Sequence, residues 1–298
     1  MLIIPGPASK NLGEKIAEIL HQPIVNVESK IFPDGECYVR LTGDVKGERV
    51  VIVQSTYPPQ NLHLIQLFLM VDTVKKLGAK EVFTVIPYMA YARQDKVFRL
   101  YEAVSIETIL KILESLGVEK LITVNMHEPK VLQKFRFKSL NLSAVNVLAE
   151  FFLKLNLEKP VAFAPDEKAV KMVKEASQIL GGTYGWFKKE RDRITGEISM
   201  RVEKKFKVEG RDVVIFDDII STGGTTATAV KMLKDMGARK VFSACVHPLL
   251  IGNAYQRILE NGAEQIVGTD TLPSNVETVS VAPLIAKALQ ENDSSEKR

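Results

Sequence analysis

Two adjacent carboxylates, Asp217 and Asp218, precede a glycine-rich turn in the segment VVIFDDIISTGGTTATAV, residues 213–230. The apolar run at 213–216 predicts a buried strand, and from 225 onward apolar residues recur at helical spacing. We therefore expect residues 217–224 to form the turn between this strand and the helix. Open α/β sheets bind their ligands at such turns.

The composition of this turn favours a phosphorylated sugar. Gly223 and Gly224 tolerate positive φ, so the nearby backbone amides can point into the turn, where the helix N-terminus adds partial positive charge. Ionised carboxylates only accept hydrogen bonds, so the Asp pair suits the 2- and 3-hydroxyls of a ribose, although it could also hold a divalent cation. The candidate phosphate-binding residues are Ser221, Thr222, Gly223, Gly224 and Thr225.

A Gly-Gly pair after a strand is often only a tight turn. The two carboxylates argue for a ligand, because like charges at a buried strand end destabilise the fold unless a ligand or cation offsets them. A P-loop is excluded, since the turn has no G-x-x-x-x-G-K-[ST] pattern.

The chain has 298 residues, which favours two domains, and its net charge of +4 is too small and too dispersed to indicate nucleic acid or an anionic membrane. Cys37 and Cys245 are its only cysteines, which fits a reducing cytoplasm. We find no signal-peptide pattern and no run of 18 apolar residues, so we expect neither secretion nor a membrane span.

Short apolar runs alternate with helical patterns along the whole chain, which predicts open, mainly parallel sheets covered by helices. The expected strands are 2–4, 24–27, 50–53, 82–86, 121–124, 161–164, 213–216, 241–246 and 266–267. The expected helices lie near 62–77, 105–116, 143–154, 168–180, 225–236 and 253–261.

An internal repeat indicates that the two halves are duplicated domains. VDTVKKLGAKEVFT at 71–84 matches VKMLKDMGARKVFS at 230–243 without a gap, although common helix C-cap chemistry is an alternative explanation. We place the boundary near Leu142, giving domains 1–142 and 143–298, with the last helix able to pack back on the first domain. The first domain has lost both the Asp pair and the glycines in its equivalent turn, QSTYPPQN.

Two further segments offer ligand-binding side chains. In KIFPDGECYVR, the turn with Asp34 and Gly35 predicts a hairpin or loop, and Phe32 with Asp34 and Glu36 could stack on a base and accept from its amine. PYMAYARQDK follows a strand and places Arg93, Gln94 and Asp95 where open sheets contact ligands, although a solvated loop is equally consistent.

Three more candidates are weaker. His127 and Asp166 each follow a strand and together could bind Mg²⁺, although Asp166 could instead cap the following helix. WFKKERDRITGE, residues 186–197, is either a charged hairpin or a flexible arm that brings Lys189 and Arg191 to a phosphoryl-transfer site.

Taken in order, FPDGE, YARQD, the His127 and Asp166 strand ends, the K-x-R arm and DDIISTGGT resemble ribose-phosphate diphosphokinases, also called phosphoribosyl pyrophosphate synthetases. The resemblance covers nearly the whole chain and implies two duplicated type I phosphoribosyltransferase-like domains. It implies transfer of the β,γ-diphosphoryl group of ATP to the 1-hydroxyl of ribose 5-phosphate, with AMP released, by a cytoplasmic homo-oligomer.

The resemblance also implies residue roles. ATP would be held by Phe32, Asp34, Gly35, Glu36, Arg93, Gln94 and Asp95, the hairpin residues acting across a subunit boundary. His127 and Asp166 would bind Mg²⁺, Lys189 would be the catalytic lysine, and Arg191 its companion. Arg191, Asp217, Asp218 and residues 221–225 would hold ribose 5-phosphate.

Two positions depart from the commoner bacterial pattern: Ser221 and Asn125 stand where that pattern has Asp. The chain length and the ISTGG form are closer to those of archaeal members of the family. We therefore do not infer a second Mg²⁺ or the allosteric control of bacterial members from the resemblance. The rival interpretations are a phosphoribosyltransferase that consumes the product and a non-catalytic synthetase-associated regulator. A nicotinamide dehydrogenase is disfavoured because no G-x-G-x-x-G follows a predicted strand.

Overall fold

The computed structural model describes residues 1–191, 198–202 and 207–295, and the side chains of residues 1–188 and 207–291. The chain forms two compact units. The first comprises Met1–Ser143 and Ser280–Arg298, and the second comprises Ala144–Val279.

The helices and strands alternate along most of the chain. The helices are α1 Lys10–Leu20, α2 Gln60–Lys76, α3 Ser105–Ser115, α4 Val145–Leu153, α5 Val170–Leu180, α6 Gly224–Asp235, α7 Ala254–Glu260 and α8 Ala282–Ser295, with short 3₁₀ helices at Pro129–Lys134 and Glu167–Ala169. The strands are β1 Leu2–Pro5, β2 Val27–Ile31, β3 Cys37–Leu41, β4 Arg49–Val53, β5 Glu81–Ile86, β6 Lys120–Val124, β7 Lys138–Leu142, β8 Val161–Ala164, β9 Thr183–Arg191, β10 Ile198–Val202, β11 Asp212–Ile220, β12 Lys240–Pro248, β13 Gln265–Thr269 and β14 Glu277–Val279.

The first unit is built on a five-stranded parallel sheet in the order β1-β4-β5-β6-β7. Its middle strands are almost wholly buried, as apolar strands covered on both faces must be. Strands β2 and β3 form a separate antiparallel hairpin. Helix α8 packs against α1, so the last helix of the chain belongs to this unit.

The second unit has a seven-stranded sheet in the order β10-β9-β8-β11-β12-β13-β14. All neighbouring strands are parallel except β9 and β10, which pair antiparallel. Strand β11 lies at the middle of this sheet, with β8 on one side and β12 on the other. The carboxyl ends of these three strands therefore meet at one edge of the sheet.

The repeated helix–glycine–strand segment has the same conformation in both units. Gly78 after α2 and Gly237 after α6 have φ of 85° and 84°, and the next amide in each case bonds back to a carbonyl in the last turn of the helix. Gly117 after α3 does the same with φ 85°, as a helix C-terminal glycine should.

Most of the expected strands and helices are present. Helix α1 and strands β7 and β14 were not predicted, helix α8 was expected only as a last helix without bounds, and Ile24 makes only an isolated bridge to Ile3 rather than beginning a strand. The two cysteines are free thiols. Among the described residues, we find no helix with both the length and the apolarity needed to span a membrane.

Candidate active site

The Asp pair lies inside β11, not in the turn after it. The strand continues past the apolar run to Ile220, because the pairing with β12 persists, with Asp217 opposite Cys245 and Ile219 opposite His247. The expected turn at 217–224 is therefore wrong in its first half. The sequence placed the end of this strand at the end of the apolar run. In the structure the strand continues for as long as it pairs with β12.

Each carboxylate of the pair holds the backbone amide that follows it. The amide of Asp218 donates to Asp217 Oδ1 at 2.9 Å, and the amide of Ile219 donates to Asp218 Oδ1 at 2.8 Å. These bonds fix both side chains at the strand end. A carboxylate has further lone pairs, so each can still accept from a hydroxyl or bind a cation.

The site concentrates negative charge. The pKa of Asp217 is raised well above its ordinary value, first by burial, then by the neighbouring charge and hydrogen bond of Asp218 and by the charge of Asp166 at the end of β8. The charges of Asp218 on the same strand and of Asp166 just after β8 therefore both act on Asp217. A hydroxyl-rich or cationic ligand relieves this repulsion, as the sequence argument expected.

A buried thiol on β12, that of Cys245, supports the end of β11. Cys245 Sγ accepts from the amide of Ile220 at 3.0 Å and donates to the carbonyl of Asp218 at 3.7 Å. Its pKa is raised well above the usual value, mainly by burial and then by the charge of Asp217, so the thiol stays protonated and keeps its donor. Sequence reasoning treated Cys245 only as an indicator of compartment and missed this role.

The turn after β11 is tight and closely packed. Gly223 has φ +73°, and a Cβ there would lie 3.1 Å from the Cβ and the carbonyl oxygen of Ala254. Gly224 begins α6 without a positive φ, so only one of the two glycines is needed for backbone conformation. Arg257 Nη1 donates to the carbonyl of Thr222 at 2.9 Å and ties the turn to α7.

The turn is accessible at the helix N-terminus. Thr222 is exposed, and Ser221, Gly224 and Thr225 are partly exposed, whereas the following Thr226 is buried. Backbone amides at such a helix start can bind a phosphate group. The candidate phosphate-binding turn therefore begins three residues after Asp218, at the same edge of the sheet as the Asp pair.

The equivalent turn of the first unit is filled by its own side chains. Gln54, Ser55 and Thr56 are fully buried. Gln54 Oε1 accepts from the amide of Ala8 at 3.0 Å, Ser55 Oγ accepts from the amide of Tyr88 at 3.1 Å, and Thr56 Oγ1 donates to the carbonyl of Tyr88 at 2.9 Å. These polar groups connect neighbouring loops, so the turn contributes to the fold.

The FPDGE turn joins β2 to β3. Its residues are exposed, and Gly35 has φ +94° with no atom near the position of a Cβ. Asp34 Oδ1 accepts from the amide of Glu36 at 3.1 Å, and Lys30 Nζ lies 4.6 Å from the ring centroid of Phe32. The turn is thus internally braced and presents an aromatic ring beside two carboxylates.

The remaining candidates are divided between the units. Arg93 is exposed after β5, and Gln94 and Asp95 are partly exposed; His127 is half-buried after β6. Asp166 lies in the second unit, where its Oδ1 accepts from the amide of Lys168 at 3.0 Å and caps the short 3₁₀ helix Glu167–Ala169, the alternative role that the sequence allowed.

Lys189 and Arg191 lie on β9, opposite Met200 and Ile198 of β10. Their side chains are outside the described residues, as is the expected turn at Thr195 and Gly196. Among the residues that are described, no group of three or more His, Cys, Asp or Glu side chains is arranged to hold a metal ion.

Comparison with known proteins decides the family. One family model, the N-terminal domain of ribose phosphate pyrophosphokinase, matches residues 1–117, and another, the phosphoribosyl transferase domain, matches residues 140–267. A ribose-phosphate pyrophosphokinase of Saccharolobus solfataricus is 40% identical over 292 residues, which is 97% of this chain and 100% of that protein. The chain belongs to the ribose-phosphate pyrophosphokinase family.

Other members of the ribose-phosphate pyrophosphokinase family agree in length and fold. The one from Methanothermobacter thermautotrophicus is 40% identical over 290 residues, covering 97% of this chain and 100% of that protein. A crystal structure of the phosphoribosylpyrophosphate synthetase from Mycobacterium smegmatis superposes with a TM-score of 0.88 at 29% identity and covers 99% of both chains. The expected fold, two domains with mainly parallel sheets flanked by helices, is confirmed.

Proposed function

We propose that this chain transfers the β,γ-diphosphoryl group of ATP to the 1-hydroxyl of ribose 5-phosphate, forming 5-phosphoribosyl 1-diphosphate and AMP. The single observation that carries the proposal is the Asp pair beside an accessible helix N-terminus at the edge of the second sheet. Full-length similarity to ribose-phosphate pyrophosphokinases supports it.

Ribose 5-phosphate binds in the second unit. Its phosphate lies on the amides of residues 221–225, and its 2- and 3-hydroxyls donate to Asp217 and Asp218. This pairing matches acceptors with donors, and it spreads the negative charge of the Asp pair into hydrogen bonds. Arg191 adds a cation to the sugar phosphate.

ATP is held by residues of the first unit. Phe32 stacks on the adenine, Asp34, Gly35 and Glu36 accept from its exocyclic amine or support the turn, and the loop with Arg93, Gln94 and Asp95 contacts the phosphates. The exposure of the FPDGE turn supports a role across a subunit boundary in a homo-oligomer.

The transfer breaks the bond between the β-phosphorus and the oxygen that bridges it to the α-phosphorus, and it forms a bond to the sugar oxygen. The hydroxyl proton leaves to solvent and AMP departs. Lys189 and Arg191, two residues apart on β9, supply positive charge to the transferring phosphates.

Mg²⁺ supplies further charge stabilisation when bound to the phosphates. Mg²⁺ takes oxygen ligands, commonly one or two carboxylates completed by substrate phosphates and water. Asp166 fits that donor set, and His127 is the second ligand that the family pattern implies.

The free thiols of Cys37 and Cys245 support a reducing compartment, the cytoplasm.

The decisive assay incubates the purified chain with ATP and ribose 5-phosphate and measures AMP. We expect AMP to appear only when both substrates and Mg²⁺ are present, and chelation of the metal to stop it. A chain that forms no AMP but releases diphosphate from 5-phosphoribosyl 1-diphosphate and a base is a phosphoribosyltransferase, and this result overturns the proposal.

A further inference from the structure

The loop between β5 and α3 is held together by one side chain that no ligand-binding role includes. Glu102 Oε2 accepts from the backbone amides of Phe98 and Arg99, each at 2.9 Å, and from the side-chain amide of Gln94 at 3.4 Å. Donors from the middle of the loop and from the residues shortly before Glu102 therefore converge on one oxygen atom. Hydrogen bonds to a charged acceptor of this kind are stronger than those between neutral groups.

Apolar packing does little to fix the second half of this loop, whereas the buried side chains of Tyr88, Met89 and Ala92 anchor its first half. The side chains of Phe98, Leu100 and Tyr101 are 58%, 83% and 101% exposed, so burial of these large groups does not anchor the chain. This second half must therefore depend on its polar contacts, since exposed segments with few buried apolar contacts open easily.

From Gln94 to Glu102 the other hydrogen bonds of the loop are local, whereas the start of the loop is bonded to the turn at Thr56. The amide of Gln94 donates to the carbonyl of Tyr91 at 3.1 Å, its side chain donates to the carbonyl of Lys96 at 3.3 Å, and the amide of Glu102 donates to the carbonyl of Arg99 at 3.2 Å. Each closes a turn of a few residues. The Glu102 carboxylate is the contact that joins position 94 to positions 98 and 99.

We propose that Glu102 is a positioning residue for the nucleotide. Its carboxylate accepts from the side chain of Gln94, which we assign to ATP, and joins that side chain to the backbone of Phe98 and Arg99. This inference rests on the proposed function. It adds a residue that acts on the donor substrate through Gln94 and does not itself touch the nucleotide.

Three substitutions separate the possible roles of this carboxylate. Glu102→Ala removes the acceptor, Glu102→Asp keeps the charge but shortens the reach, and Glu102→Gln loses the charge but keeps a carbonyl oxygen. Because all three donors meet at one oxygen, a single carbonyl can replace it. Glu107→Ala is the matched control, since the Glu107 side chain accepts from Lys134 Nζ at 2.5 Å and not from the loop donors that Glu102 holds.

We expect Glu102→Ala and Glu102→Asp to raise KM for ATP by about tenfold to hundredfold, as small misplacements of positioning groups do. KM for ribose 5-phosphate should stay unchanged, because that substrate binds in the other unit. Glu107→Ala should behave like the wild type, and Glu102→Gln, which keeps a neutral acceptor, should lie between the wild type and Glu102→Ala. Amide hydrogen exchange at Phe98 and Arg99 should accelerate in the Ala and Asp variants and accelerate less in the Gln variant.

An unchanged KM for ATP in both Glu102→Ala and Glu102→Asp would overturn the proposal. So would a Glu102→Gln variant as impaired as Glu102→Ala, because the charge would then matter more than the acceptor. Direct titration of each variant with Mg²⁺ and ATP in a calorimeter tests Glu102 separately from catalysis. If the wild type bound ATP but formed no AMP, the proposed reaction would fail while the Glu102 comparison still gave an answer.

Discussion

Replacing Gly223 with alanine tests whether the turn after β11 has one permitted shape. The residue has φ +73°, and a methyl group there would lie 3.1 Å from the Cβ and carbonyl oxygen of Ala254 and 3.2 Å from its Cα. The left-handed conformation costs an L-residue about 1–2 kcal/mol. Forcing a methyl group into packed backbone costs about 1–3 kcal/mol more.

These two terms together amount to about 2–5 kcal/mol if the turn keeps its shape. The turn can lower that cost by moving away from Ala254, but its amides then lose their alignment on the sugar phosphate. Loss of one hydrogen bond to a charged group is worth about 1.5–3 kcal/mol, or roughly tenfold to a hundredfold in affinity. We therefore expect a lower Tm and a KM for ribose 5-phosphate raised by about that factor.

Two other glycines of the second unit serve as controls. Gly181, the C-cap of α5, has φ +66° and no atom within 4 Å of a built Cβ, so Gly181→Ala carries the backbone strain without the clash. Gly224 has neither a positive φ nor a close neighbour, so Gly224→Ala should leave Tm unchanged or slightly higher. We expect Gly181→Ala to lower Tm modestly and leave KM for ribose 5-phosphate at the wild-type value.

Thermal unfolding and steady-state AMP formation are measured on the wild type and on the three glycine variants. Together they decide whether Gly223 sets the shape of the turn. If Gly223→Ala matched Gly181→Ala in both Tm and KM for ribose 5-phosphate, the close approach to Ala254 would have no effect on the site. The argument that this glycine sets the phosphate cradle would then be refuted.

Three further predictions concern the strand ends. Asp217→Asn should raise the Tm of the ligand-free protein at neutral pH. Burial raises the pKa of Asp217, so the wild type loses stability as the pH rises through that raised pKa. The difference in Tm between the two proteins should therefore vanish below the ordinary carboxyl pKa. Cys245→Ala removes the acceptor of the Ile220 amide and should cost about 1–3 kcal/mol of unfolding free energy, whereas Cys245→Ser keeps the acceptor and should lose less. Lys189→Ala should lower kcat by about a hundredfold to a thousandfold with KM values little changed, and Lys188→Ala, its neighbour on β9, should not.

Each of these has a contrary outcome. A ligand-free Asp217→Asn protein that melts below the wild type at neutral pH would show that the Asp pair is not under strain. Equal unfolding free energies for Cys245→Ala and the wild type would remove the thiol from the support of β11. An undiminished kcat in Lys189→Ala would exclude that lysine from the transfer.

The sequence predicted the parts of the fold that depend on strong apolar patterns. Strands such as β4 and β5 are buried on both faces and appear in the sequence as continuous apolar runs. Strand β7, KSLNL, has three polar residues and an exposed start, so its pairing with β6 comes from tertiary contacts that a local pattern does not record.

The residue types located the candidate site in the sequence, but they did not predict its geometry. The residues of DDIISTGGT indicated a sugar-phosphate turn, and the structure places Asp217 and Asp218 in a strand and leaves the turn to Ser221, Thr222 and Gly223. The support from Cys245 depends on the register of β11 with β12, which no single segment of sequence carries. The hydrogen bonds to the Glu102 carboxylate likewise could not be predicted from the sequence, because a glutamate in a loop is usually only solvated.

The central claim is tested most directly by following the phosphates of ATP. The chain is incubated with Mg²⁺, ribose 5-phosphate and ATP carrying ³²P in either the β or the α position, and the products are separated. We predict that the β label moves to the sugar and that the α label remains in AMP. A β label that stays on a nucleoside diphosphate, or a reaction that does not depend on ribose 5-phosphate, would contradict diphosphoryl transfer by this chain.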